Sequence, residues 1–142
     1  MCKSVLFYDN GFEIEYHIRN NGIAAMEFWF GPEFNFSVNN GEWSKRYYAA
    51  PESIKDNTLE CVSDTDSVNE LVVRNDDEGY KISLSSKDAA RVMTYPHIIP
   101  VLSPEGIENI FQNVVLNYFW KLSISPRETK KIRLSVKISS CE

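Results

Sequence analysis

The chain has no apolar run approaching the roughly 20 residues that a membrane-spanning helix needs, so a soluble protein without a membrane partner is expected. Positive charge is also in short supply. Against 20 Asp and Glu stand 15 Lys and Arg, a formal charge of −5, and the basic residues form no cluster. Nucleic-acid backbones and anionic lipid surfaces both attract basic patches, so neither is an expected partner. Cysteine is limited to Cys2, Cys61 and Cys141, an odd number with no spacing of a zinc site or redox pair. Free thiols in a cytoplasmic protein are the expectation. The N-terminal apolar stretch is interrupted by Tyr8, Asp9 and Asn10 before it reaches the length of a signal-peptide core. The Asn35-Phe36-Ser37 sequon is accordingly expected to be idle. Histidine is confined to His17 and His97, and Asp64, Asp66, Asp76 and Asp77 lie outside any EF-hand pattern. With no Gly-rich phosphate loop and no nucleophile elbow either, no metal, cofactor or catalytic residue is expected.

What the chain does have is regular punctuation. Asp9-Asn10-Gly11, Asn20-Asn21-Gly22 and Asn39-Asn40-Gly41 are residues that tolerate the positive φ of hairpin turns. Between the first two, residues 12–19 place Phe12, Ile14, Tyr16 and Ile18 on one face and Glu13, Glu15, His17 and Arg19 on the other. Further strands are predicted over 71–74, 80–85 and 132–138, with Asn75-Asp76-Asp77-Glu78-Gly79 as an acidic hairpin loop. No segment sustains a helical period, although 51–54 and 86–90 are each of a length for one helical turn. The acidic segment 56–70 is expected to be mostly loop, with an edge strand over 58–62. At 142 residues the chain has the size of one domain with a real core. These features predict an all-β fold, an antiparallel β-sandwich of one domain, residues 1–142.

Residues 26–38, MEFWFGPEFNFSV, alternate without a slip. Met26, Phe28, Phe30, Phe34, Phe36 and Val38 share one side, and Glu27, Trp29, Glu33, Asn35 and Ser37 the other, the signature of a half-buried strand. The polar side is either ordinary sheet surface or a platform on which a sugar stacks while polar side chains take its hydroxyls. Trp29, Glu33 and Asn35, with Trp43, Tyr47 and Tyr48 after the next turn, are the candidate carbohydrate-binding residues. Core packing is the competing role for each ring. Trp120 is assigned to the core, because Tyr118, Leu122 and Ile124 share its parity.

Two segments resemble one family. Phe30-Gly31-Pro32-Glu33-Phe34-Asn35-Phe36-Ser37 is similar to a glycine-x-glutamate-phenylalanine-asparagine strand. Residues 95–108, with Pro96 and then Ser103-Pro104-Glu105-Gly106-Ile107-Glu108, are similar to a serine-x-glutamate-glycine-x-glutamate run, continuing through Phe111-Gln112-Asn113 into tryptophan-led last strands at 119–126. Both belong to the β-rich C-terminal domain that follows the catalytic barrel in family 57 glycoside hydrolases of the α-amylase and 4-α-glucanotransferase type. Where that family carries an aromatic and a glutamine-serine pair, this chain has Val101-Leu102-Ser103-Pro104. The resemblance implies a galactose-mutarotase-like sandwich. It also implies a noncatalytic domain that packs on the catalytic domain of a glycoside hydrolase, in the same or a separate chain, with α-glucan as a further contact. Catalysis in the chain itself requires either Glu33 paired with Glu105 or Glu108 across a glycosidic bond, or His97 with Glu105 as acid and base of a small-sugar epimerase or mutarotase. A purely structural domain without ligand is the third alternative.

Overall fold

The computed structural model describes residues 1–38 and 43–141, with the backbone alone at Trp43; the turn at 39–41 and the Trp43 ring lie outside the described residues. Alternating apolar residues and Gly/Asn turns fold the described residues into nine antiparallel strands: β1 (Cys2–Tyr8), β2 (Gly11–Arg19), β3 (Met26–Phe30), β4 (Glu33–Phe36), β5 (Arg46–Ala50), β6 (Ser63–Asn75), β7 (Tyr80–Ser103), β8 (Gly106–Ile124) and β9 (Thr129–Ser140). A single 3-10 turn, Trp43–Lys45, is the helical content of the described residues. The strand order is β1-β2-β9-β7-β6-β5, and β8 pairs the second half of β7 while carrying β3 and β4 on its other edge.

The path folds back on itself because β6 and β7 turn a corner together. Val68 pairs Ala90 and Glu70 pairs Ser85, so the β7 residues between them face Asn69 alone, and Ser67 takes a φ of 61°. The Asn69 amide donates to the carbonyls of Ser86 and Lys87 at 3.1 Å each, satisfying backbone groups that the ladder leaves open. That is why 86–90 is extended and not the helical turn its composition suggests. Residues 51–54 likewise close as a turn, with Ile54 N–H on the Pro51 carbonyl at 3.1 Å. The segment 63–70, expected as loop, belongs to β6. Its hydroxyl residues hide the alternation, since Ser63 and Thr94 pair across the strands through their side-chain oxygens at 2.7 Å. The predicted edge strand at 58–62 is absent, and Thr58 makes an isolated bridge to Tyr47.

Two layers enclose the core. Ile14, Tyr16, Ile132, Leu134, Leu84 and Val73 come from one, and Val92, Leu116, Tyr118, Trp120 and Ile124 from the other. Tyr16 meets Phe30 edge-on with centroids 5.0 Å apart, and the Tyr118 hydroxyl donates to the Leu84 carbonyl at 3.3 Å. Trp120 is in the core as predicted. On the outside of the first layer, Glu15 accepts from Arg133 at 2.5 Å and contacts His17. These bonds hold its carboxyl down to about 2. A depressed carboxylate contributes stability above its unfolded pKa near 4.5 and loses that contribution as pH falls toward 2. Replacing Arg133 with Gln is therefore expected to return the Glu15 carboxyl midpoint toward 4.5, read by carboxyl carbon NMR. An unchanged midpoint would refute the assignment.

Candidate functional site

Residues 26–36 run along β8 in one unbroken register from Met26 opposite Ile124 to Phe36 opposite Val114, through Gly31-Pro32, where Tyr118 N–H donates to the Pro32 carbonyl at 3.1 Å. The predicted alternation is therefore real. Phe28, Phe30, Phe34 and Phe36 pack against the core, while Trp29, Glu33 and Asn35 point outward, Trp29 being 55% exposed. The Asn35 amide donates to Glu33 at 3.0 Å.

The register also identifies neighbours that the linear pattern missed. Trp29 pairs Lys121, Glu33 pairs Asn117, and on the far side of β8 Phe119 pairs Arg91 and Asn117 pairs Met93. Gly31 is what admits Phe119. A Cβ at Gly31 would stand 2.5 Å from the Phe119 ring and 2.6 Å from the Tyr118 carbonyl, so the ring edge occupies the space that any larger residue would take. Arg91 is held by Asp64 from β6 in a two-pronged pair, Nε to Oδ1 at 2.7 Å and Nη2 to Oδ2 at 2.5 Å. The guanidinium keeps the Asp64 carboxyl below its ordinary value. A hollow of about 230 Å³ is lined by Trp29, Arg91, Met93 and Phe119. A larger one, about 670 Å³, continues from Trp29 and Phe119 into the seam between β8 and the start of β9.

The other candidates do not join this face. Tyr48 is 3% exposed and points into the core; burial drives its hydroxyl far above the usual range, and a sugar cannot reach it. Tyr47, one residue earlier, points out of the opposite layer from β5, donates to Asp76 at 3.1 Å and lies under Arg74. The predicted grouping of Trp29 with Tyr47 and Tyr48 is thus corrected, because consecutive β5 residues alternate sides and β5 hydrogen-bonds to β6 on the other layer.

The acid–base pairings are not assembled either. His97 lies opposite Asn113, with their side-chain nitrogens 3.3 Å apart. Glu105 sits beyond Ser103 at the hairpin tip, and the strand from His97 to Ser103 runs extended. At roughly 3.3 Å per residue that stretch spans about 20 Å, which keeps Glu105 out of reach of the imidazole. Glu33, opposite Asn117, is farther still from Glu105 and Glu108 along β8. At the tip, Ser103 donates to Glu108 at 2.5 Å and accepts from Glu105 N–H at 3.1 Å, and Gly106 takes a φ of 128°. The serine-x-glutamate-glycine-x-glutamate run is therefore a turn signature here. Among the described residues, no group of three or more His, Cys, Asp or Glu is placed to hold a metal ion, and no helix is long and apolar enough to cross a membrane.

The model of the alpha-amylase/4-alpha-glucanotransferase C-terminal domain family matches residues 1–137. The chain belongs to that family. Among solved structures, this C-terminal domain is similar to the 4-alpha-glucanotransferase of Thermococcus litoralis, at 17% identity and a TM-score of 0.67, over 97% of this chain and 18% of that one. It is also similar to a protein assigned as an aldose 1-epimerase from Escherichia coli K12, at 10% identity and a TM-score of 0.66, over 97% of this chain and 59% of that one. The domain thus spans about a fifth of the first relative and under two thirds of the second. At these identities the likeness shows the fold, an antiparallel galactose-mutarotase-like sandwich. A search of curated proteins gives no match.

Proposed function

We propose that the chain is a single β-sandwich domain, residues 1–142, serving as a noncatalytic accessory domain of a family 57 type α-amylase or 4-α-glucanotransferase. In this reading it packs on a catalytic domain, in the same or a separate chain, and contacts α-glucan through the outward face of β3 and β4. The observation that carries the sugar contact is the exposed Trp29 ring above an open hollow, on the same outward face as the bonded Glu33–Asn35 pair farther along the strand. Aromatic faces stack on sugars while such polar groups take hydroxyls. Packing on a larger partner is supported by β1, an edge strand exposed along its whole length with Phe7 75% exposed, and by Leu102 and Ile107 on the β7–β8 hairpin. Large exposed apolar side chains grouped in this way mark interaction surfaces. Cytoplasmic residence belongs to the same proposal, supported by three free thiols.

The fold likeness to an epimerase favours a small-sugar enzyme as the second reading, but His97 and Glu105 would need a different arrangement to act together. The test is a titration of maltoheptaose followed by tryptophan fluorescence, with Trp29→Ala alongside. A saturable change in the parent, lost in the variant at an unchanged melting temperature, is the expected result. No change up to millimolar sugar would overturn the glucan contact and leave a scaffold.

A further inference from the structure

The two hollows share Trp29, Arg91 and Phe119, so they form one open trough crossing β3, β8 and β7. A single pyranose would occupy only part of it. The charges around the trough balance once the carboxylates paired with its rim are included: Arg91 is matched by Asp64 and Lys130 by Glu128 at 3.0 Å, and Lys121 and Lys131 line it together with Asp66 and Asp88. A trough without net charge favours a neutral ligand over a phosphorylated or sulfated one. Its two rings and its fixed Arg–Asp fork supply stacking and directional hydrogen bonds together.

We propose that this trough binds an extended neutral oligosaccharide, with Trp29 and Phe119 as successive stacking rings and the Arg91–Asp64 pair as the polar anchor. The proposal rests on the sugar-contact reading above and adds the length of the ligand and two residues that the linear sequence did not single out. Calorimetric titration of the full chain with maltose and with maltoheptaose tests it. Maltoheptaose is expected to bind at least about tenfold more tightly, a difference of about 1.4 kcal/mol. Phe119→Ala and Arg91→Met are each expected to weaken maltoheptaose binding about fivefold or more. Arg91 is exposed, so its variant remains informative if loss of the Phe119 ring disturbs the fold. Equal affinity for the two sugars would overturn the extended-ligand proposal while leaving the sugar-contact reading in place. Full affinity in Arg91→Met would overturn the anchor, and binding of neither sugar would overturn both readings.

Discussion

Truncation of Trp120 to alanine is expected to cost about 3–5 kcal/mol of folding stability, within the range for deleting a buried tryptophan. The side chain is 5% exposed and lies between the rings of Phe30 and Tyr118, with centroids 6.3 and 6.0 Å away. Its indole N–H donates to the Asp88 carbonyl at 3.0 Å, at the corner where β7 passes from one layer to the other. The variant loses apolar contacts, opens a cavity and frees a backbone acceptor at a bend. Against a total stability of about 5–15 kcal/mol, a loss of this size brings the fold close to its limit. Urea unfolding followed by far-UV circular dichroism measures it. A cost below about 1 kcal/mol would show that the ring is not a central packing element.

Asn20→Ala is the second change with a large expected effect, about 2–4 kcal/mol, because a buried amide is removed from three partners. Asn20 is 3% exposed. Its Nδ2 donates to the carbonyls of Ala24 at 2.8 Å and Ile124 at 3.0 Å, and its Oδ1 accepts from Gly22 N–H at 2.9 Å. Its backbone bonds Glu128 and Arg127, so one residue ties the crossover loop between layers to the turn between β8 and β9. Asn20→Asp is the sharper variant. It keeps the acceptor for Gly22 but sets a carboxylate against two carbonyl oxygens, and its stability is expected to rise as pH falls and the carboxyl is protonated. Thermal unfolding of both variants at neutral and acid pH reads the difference. An Asp variant as stable as the parent at neutral pH would contradict the bonding described.

The strand at 26–38 is legible in the sequence because one of its faces is apolar and the other polar, and the register on β8 preserves that alternation. Residues 114–116 are not legible in the same way. Val114, Val115 and Leu116 are all buried, since Val115 on the outer face lies between Asn35 and Tyr95 of the flanking strands. Burial on both faces erases a period of two. At β6 the alternation is hidden by hydroxyl residues that pair across strands, and at β1 by exposure of both faces. The site divides in the same manner. Trp29, Glu33 and Asn35 lie on one continuous stretch, and their common side follows from spacing alone. Phe119, Arg91 and Asp64 come from three other strands, and no local pattern brings them together.

By itself, the amino-acid sequence determined the all-β class, the hairpin turns at 9–11 and 75–79, the inward face of β2, β3 and β4 and the core position of Trp120, because these depend on local alternation and turn chemistry. The turn expected at 20–22 is instead a crossover, since β2 pairs β1 and β9 while β3 pairs β8. The tertiary structure alone decided which strands neighbour β8, where β6 and β7 bend, and that Tyr47 and Tyr48 stand apart from Trp29. Those features depend on pairing between segments distant in the chain, which leaves no period in the sequence of any one of them.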